Sequence, residues 1–316
     1  MKFIRLSTTN PYQNLAIEEY LFHHAKEDVF MLWQNEPTVV IGKNQNAFAE
    51  VNVELAKSMG VHIARRITGG GAVYHDAGNI NYTYIHVGNG EHALDYAFFA
   101  DPLIRALAAL GIKCSLSGRN DIEVDGKKIS GNAQYSSAGR VLHHGTLLFD
   151  VNLKKMSSLL RVDKEKLAYK AVKSVKGRVL NLRALLGDGM SAEALIEHIA
   201  HFVDAEPLPL PESEEILALR ARNESDEWIY SEKRYLTEYS VKRKEKYPFG
   251  LVNVSLTLEG ERIEDIVVSG DFFSLHPIEE LEEKLRGKKA SELSPFDVSP
   301  YIQGMSFHEL LELLRL

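Results

Sequence analysis

The chain has 316 residues, 45% hydrophobic and 26% charged, enough for a sizeable core and too apolar for wholesale disorder. Its 37 Lys and Arg against 44 Asp and Glu leave a net charge of −7, which argues against nucleic-acid binding, since that needs dense positive charge. The single cysteine, Cys114, excludes an intrachain disulfide. The longest run free of Lys, Arg, Asp and Glu, 14 residues from Ala77 to Gly90, is too short for a membrane span, and no apolar stretch before Glu18 reads as a signal peptide. These bounds predict a soluble, globular, cytoplasmic protein.

Asn10-Pro11 reads as a helix cap followed by proline in the first turn. Ile17, Leu21 and Ala25 then recur at helical spacing, with Glu18 and Glu19 expected on another face. Val29 to Trp33 and Thr38 to Ile41 read as strands around the Asn35-Glu36-Pro37 turn, and a helix is predicted from an Asn52 cap to a Gly60 stop. From Val61 to Val151 the texture is mostly β (61–67, 80–87, 112–118, 121–125, 127–133 and 140–151), with Asp125-Gly126 as a two-residue hairpin turn and one helix ending at Leu110. Residues 153–223 read as mostly helical, with one helix starting at a Ser191 cap and a proline-rich interruption at 206–211. Lys242, Arg243, Lys244 and Lys246 then crowd together before Pro248-Phe249-Gly250 and read as a solvated linker. Two strands (251–258 and 262–268) and two amphipathic helices near 276–286 and 306–315 follow. The domains are accordingly drawn as 1–247 and 248–316.

Three passages carry chemistry. In Arg65-Arg66-Ile67-Thr68-Gly69-Gly70-Gly71-Ala72-Val73-Tyr74-His75-Asp76, a strand delivers two arginines and three glycines let main-chain N–H groups approach a ligand. The spacing matches neither a Walker loop nor a dinucleotide fingerprint, and a hairpin with ordinary surface arginines also accounts for it. Asp121 and Lys128 stand on either side of the hairpin turn: a hard carboxylate suits Mg²⁺, and the lysine is a point charge for a carboxylate or phosphate. Asp-Gly-Lys-Lys is equally ordinary turn sequence. His143 and His144 on one strand face opposite ways, so at most one reaches a given pocket; a metal site there lacks further ligands, and a satisfied core histidine is the plainer account.

Taken together these passages resemble lipoate–protein ligases. The match runs from Asn14-Leu15-Ala16-Ile17-Glu18-Glu19 through Arg-Arg-x-Thr-Gly-Gly-Gly-Ala-Val-Tyr-His-Asp, Arg119-Asn120-Asp121 and Lys128-Ile129-Ser130-Gly131. It continues in Ser174-Val175, Arg178-Val179-x-Asn181-Leu182, Asp226-Glu227-Trp228 and Ser269-Gly270-Asp271-Phe272-Phe273. The resemblance implies an α+β fold: a mixed or antiparallel sheet catalytic domain of the biotin/lipoate ligase and class II synthetase type, plus a small C-terminal α/β domain that swings between two half-reactions. It implies activation of lipoate by ATP to lipoyl-AMP, with pyrophosphate released, and transfer of the lipoyl group to one lysine of a carrier.

Residue by residue, the resemblance assigns ATP to Arg66, Gly71, Ala72, Val73, Tyr74 and Lys128. It assigns lipoate to Lys128, Gly70, His75 and His144, with Trp33 as a further tunnel candidate, and Mg²⁺ to Asp121. Lys128 is the catalytic residue, and Lys170, Ser174 and Arg178 belong to a segment covering the adenylate. Implied partners are lipoyl domains of 2-oxoacid dehydrogenase acyltransferase subunits or glycine cleavage protein H, recognised by a monomer; the basic run at 242–246 is a candidate docking patch for their acidic surface. Two rivals remain. An ATP-independent acyltransferase of the same fold needs a nucleophilic cysteine, yet Val141-Leu142-His143 ahead of His144-Gly145 carries no thiol. A noncatalytic lipoate-binding protein would have no reason to carry Arg66, the glycines, Asp121 and Lys128 together.

Overall fold

The structure, a computed structural model, describes residues 1–118, 120–161 and 178–315. Behind the short strand β1 (Lys2–Arg5), Asn10 accepts a hydrogen bond from the Gln13 N–H and Pro11 occupies the first turn of α1 (Pro11–His24). Then come β2 (Val29–Trp33), β3 (Thr38–Ile41), α2 (Ala47–Glu50), α3 (Val53–Ser58), β4 (His62–Arg65), β5 (Val73–His75) and β6 (Asn79–Val87). Helix α4 (Tyr96–Ala109) leads into β7 (Ser115–Ser117), β8 (Asp121–Val124), β9 (Lys127–Ser137) and β10 (Arg140–Leu148). After α5 (Leu153–Leu159) and α6 (Arg183–Leu186), the Ser191 side chain caps α7 (Ala192–Val203). The strand β11 (Glu206–Pro207) and the helices α8 (Glu214–Glu224), α9 (Asp226–Tyr230) and α10 (Glu232–Tyr235) complete the large unit.

Eight strands make one mixed sheet in the order β11-β1-β2-β6-β10-β9-β8-β7, parallel at the β11-β1-β2 end and antiparallel from there on. The two-residue period of β2 divides the core between its faces. Val29, Met31 and Trp33 pack on the side of α1, whereas Phe30 and Leu32 pack on the side of α4 and α7. Strands β4-β3-β5 form a second, three-stranded sheet. The turn between β8 and β9 is the one its sequence demands: Asp125 and Gly126 both take positive φ, 49° and 71°.

The C-terminal unit is an antiparallel sheet of β12 (Val241–Tyr247), β13 (Gly250–Glu259) and β14 (Arg262–Gly270), packed with α11 (Ile278–Leu285) and α12 (Phe307–Leu314) around its own core. Here the linker reading of 242–246 fails. Val241 to Tyr247 pair with Leu256 to Gly250 along seven residues, so a cut between 247 and 248 would split the sheet. Strand β12 is an edge with 242–246 all exposed, and charge on both of its faces left no alternation to read. The proline-rich stretch also differs from expectation, because Glu206 and Pro207 pair with Lys2 and Phe3 at the end of the large sheet. Among the described residues no helix is long and apolar enough to cross a membrane.

Candidate active site

The chamber that gathers most of the singled-out residues opens between β4-β3-β5 and the middle of the large sheet. Arg66, Gly70, Gly71, Ala72 and Val73 line one side; Lys128, Gly131, Asn132 and Ala133 of β9 and His144 to Thr146 of β10 line the other. Leu15, Trp33, Val40 and His75 complete an apolar wall. Tyr74 is an exception. Its side chain points the other way on β5 into the core, leaving any ligand contact at this position to its main chain.

Lys128 sits at the polar end. Its Nζ is 2.7 Å from Asp121 Oδ1, each side chain being one-third exposed. The β8–β9 hairpin explains the pairing, since the turn folds the two strands back on one another. A Cβ at Gly131 would lie 2.5 Å from Lys128 Nζ, so the glycine lets the lysine lie flat over the main chain. Val179 bridges to Lys128 and the Leu180 N–H donates to the Lys128 carbonyl at 2.9 Å. The chain from the half-buried Arg178 onward therefore abuts the lysine. Arg119, Lys170, Ser174 and Val175 lie outside the described residues.

Arg66 holds the glycine loop in shape. Buried, it donates through Nη2 to the carbonyls of Gly69 (2.7 Å) and Gly71 (2.9 Å), through Nη1 to Val40 (3.3 Å), and through Nε to Thr68 Oγ1 (2.9 Å). Four of its five N–H groups are thus engaged by protein. Burial, opposed by the negative charge of Glu18, lowers its pKa to about 10, so it stays cationic at neutral pH. Arg65 is wholly structural: its guanidinium donates to the carbonyls of Gly42, Lys43, Gln45, Trp228 and Ile229.

A buried relay joins that loop to the chamber floor. Thr68 Oγ1, already accepting from Arg66, is 2.8 Å from His144 Nε2, and His144 Nδ1 is 2.9 Å from Glu18 Oε1. From the other end Trp33 Nε1 donates to Thr83 Oγ1 (3.0 Å), which donates to the same Glu18 oxygen (2.6 Å). The donors sort consistently when the Thr68 hydroxyl donates to His144 Nε2 and His144 carries its proton on Nδ1, toward Glu18. Glu18, 1% exposed, is therefore part of the site rather than of a solvent face of α1, and its neighbour Glu19 is buried against Arg222. Sequence spacing missed Glu18 because α1 is buried nearly all round; the available signal was a carboxylate amid an apolar helical run.

His75 is also buried and its neutral form is enforced. Burial first, then Arg66 and His144, lowers its pKa to about 3. Asn35 accepts from Asn14 through Oδ1 and so donates through Nδ2 to His75 Nδ1 (3.0 Å), leaving the proton on His75 Nε2 with no partner. The chamber wall thus carries an unanswered N–H donor. The only thiol is elsewhere. Cys114 packs against the core on the α4 side, burial raises its pKa, and it does not line the chamber, so the thiol-dependent route has no nucleophile here.

The C-terminal unit rests on the loop. The Gly70 N–H donates to the Phe272 carbonyl (3.2 Å), Asn44 Nδ2 donates to Ser274 Oγ (3.2 Å) and the Gly270 N–H donates to the Asn44 carbonyl (2.9 Å). Phe273, 3% exposed, wedges beside the glycines against Tyr96 and Ala133.

Comparison with known proteins covers nearly the whole chain. Residues 10–203 match the lipoyl protein ligase A/B catalytic domain and residues 237–314 the bacterial lipoate protein ligase C-terminus. The lipoate-protein ligase LplJ of Bacillus subtilis is 35% identical, the match covering 99% of this chain and all of the relative. Among solved structures, P. falciparum LipL1 in complex with lipoate superposes with a TM-score of 0.76 at 20% identity, covering 93% of this chain and 94% of that one. The bipartite lipoate protein ligase of Thermoplasma acidophilum, described with its E2 lipoyl domain, gives a TM-score of 0.63 at 25% identity over 76% and 98% of the two chains.

Proposed function

We infer, from the premise that the chain belongs to the lipoate–protein ligase family, that it joins lipoate to a lysine of a lipoyl domain in two steps, the first of which consumes ATP. In the first, a lipoate carboxylate oxygen bonds to the α-phosphorus of ATP and the bond from that phosphorus to pyrophosphate breaks. In the second, the carrier amine bonds to the acyl carbon, AMP leaves with the acyl C–O electrons, and the amine gives up a proton. The observation that carries this reading is the place of Lys128, at the junction of an apolar tunnel floored by Trp33 and a glycine loop able to face phosphate.

Both steps gather negative charge at one point, so positioning and electrostatics are the main contributions a protein can make. Lys128, oriented by Asp121 over Gly131, neutralises the reacting carboxylate and the α-phosphate and polarises the acyl carbonyl. Arg66 fixes the Gly69–Gly71 backbone through its carbonyls, the relay through Glu18 sets the depth of the tunnel, and His75 offers its Nε2–H to the bound acyl group. Mg²⁺, which screens phosphate charge when bound, is usually held by one or two carboxylates plus the phosphates themselves. Asp121, a hard donor that does not line the chamber but pairs with Lys128 of its wall, is the carboxylate that would hold it. Acceptors are the acidic lipoyl domains of 2-oxoacid dehydrogenases or glycine cleavage protein H, met by a monomer in the cytoplasm.

The test is lipoate-dependent pyrophosphate release with ATP and Mg²⁺, without carrier, for the wild type and Lys128→Ala. Release that collapses in the variant by at least a hundredfold supports the assignment. Equal release from both would remove Lys128 from the reaction. Wild type that releases nothing alone, and nothing after addition of an apo lipoyl domain, would overturn the activity itself.

A further inference from the structure

Outside the chamber, the end of β6 and the loop after it bring three metal-binding side chains together. Ligand atoms of His86, Glu91 and His92 all lie within 4.8 Å of one another, and none of these residues lines the chamber. The two histidines are held in poses suited to binding. His86 Nδ1 is 3.0 Å from Asp28 Oδ2, and that carboxylate, an acceptor only, draws the imidazole proton to Nδ1. Nε2 is then left with its lone pair, buried and without a hydrogen-bond partner. A histidine whose far nitrogen is fixed by a carboxylate is the usual arrangement of a metal-bound imidazole.

Asp28 is anchored in turn, accepting from the Val87 N–H (2.8 Å) and the Tyr84 hydroxyl (3.0 Å). The His92 ring stacks on Phe98 at 3.7 Å and 7°, which fixes its plane, and its Nδ1 faces Asp95 at 3.5 Å. Gly88 keeps the space beside His86 open, since a Cβ there would stand 2.7 Å from Nε2.

The separation of His86 and Glu91 is near that of two ligands on a small tetrahedral ion. Two ligands each about 2.1 Å from one such ion stand about 3.4 Å apart, and His86 Nε2 and Glu91 Oε1 are 3.7 Å apart. Glu91 and His92 both lie on the loop after β6, so a shift of that loop closes the remaining separations, all of which are within 4.8 Å. We propose that His86, Glu91 and His92 bind one divalent first-row transition ion, of which Zn²⁺ is the best chemical match, with water in the open position. Two imidazoles and one carboxylate favour such an ion over Mg²⁺ or Ca²⁺, which take oxygen donors. Bound there, it clamps the 88–95 loop to β6. The Leu94 N–H of that loop donates to Gln134 of β9, and Asp95 caps α4 by accepting from the Phe98 N–H. The ion would thus brace the start of the helix that carries Tyr96.

The experiment is a calorimetric titration of the full-length, tag-free chain with Zn²⁺, and a titration with Co²⁺ read by visible absorption. The wild type should take up one equivalent of Zn²⁺ at this site and develop the absorption of four-coordinate Co²⁺. His92→Ala and Glu91→Ala should each abolish that uptake, and Asp28→Asn should weaken it by about 10–100-fold. Glu91→Ala removes only an exposed side chain and so tests the site even where loss of the His92–Phe98 stack unfolds the loop. Pyrophosphate release should be unchanged in Glu91→Ala, which separates this site from the catalytic one. Absence of Zn²⁺ uptake by the wild type, or identical isotherms for wild type and Glu91→Ala, would overturn the proposal.

Discussion

His75 and His143 are held neutral by burial, each lowered to about 3, His75 by Arg66 and His144 as well and His143 by His144. In the unfolded chain the same imidazoles titrate near 6.5. Below that pH the unfolded state binds protons that the folded state refuses, so stability is complete above 6.5 and falls as the pH drops toward 3. The slope is about 1.4 kcal/mol per pH unit for each histidine. Denaturant unfolding at pH 7, 5.5 and 4 should show this loss, and His143→Gln should remove about half of the two-histidine contribution. A slope unchanged in that variant would mean that His143 titrates normally when folded. At this scale the sequence was readable as far as placement goes, for Lys128 and the glycines Gly70 and Gly71 line one chamber. It was silent on Glu18, whose role depends on three partners from three other strands and loops: His144, Thr83 and, through Thr68, Arg66.

Local signals served the elements well where they are physical. Asn10, Asn52 and Ser191 each cap the helix their position predicts, and Asp125-Gly126 turns the hairpin that sets Asp121 beside Lys128. Strand β12 escaped because exposure on both faces erases the two-residue period. Its charges have two possible uses: blunting a bare sheet edge against other chains, or docking the acidic carrier. Reversal of Lys242, Arg243 and Lys244 to Glu should raise the KM for an apo lipoyl domain severalfold at low salt, with lipoate activation unchanged and the effect fading as salt screens it. An unchanged carrier KM accompanied by self-association would assign the charges to edge protection instead.

Across the whole molecule, the two units meet over the glycine loop, a placement that no pattern along the chain encodes because it joins residues some 200 positions apart. The main-chain N–H of Gly70, a residue the family resemblance assigns to lipoate, is satisfied by Phe272 of the small unit. If lipoate uses that donor it competes with the small unit, and its apparent affinity is the intrinsic affinity multiplied by the fraction of molecules in which the loop is free. Phe273→Ala, which removes the buried wedge at a cost to docking of roughly 3 kcal/mol, should speed hydrogen exchange at Gly70 and lower the KM for lipoate. Exchange at Gly70 that is already fast in the wild type would show that the two units part freely in solution.

The hydrogen-bonded path from Trp33 to Arg66 has an optical consequence. The chain has two tryptophans, and Trp228 lies apart from the chamber with its indole N–H on the Arg65 carbonyl and its ring against Arg222. In a Trp228→Phe background, every photon of indole emission reports the tunnel floor. Lipoate alone should change that emission by contact, and ATP alone should change it through the relay if the loop shifts. A spectrum indifferent to lipoate would place the acyl chain elsewhere.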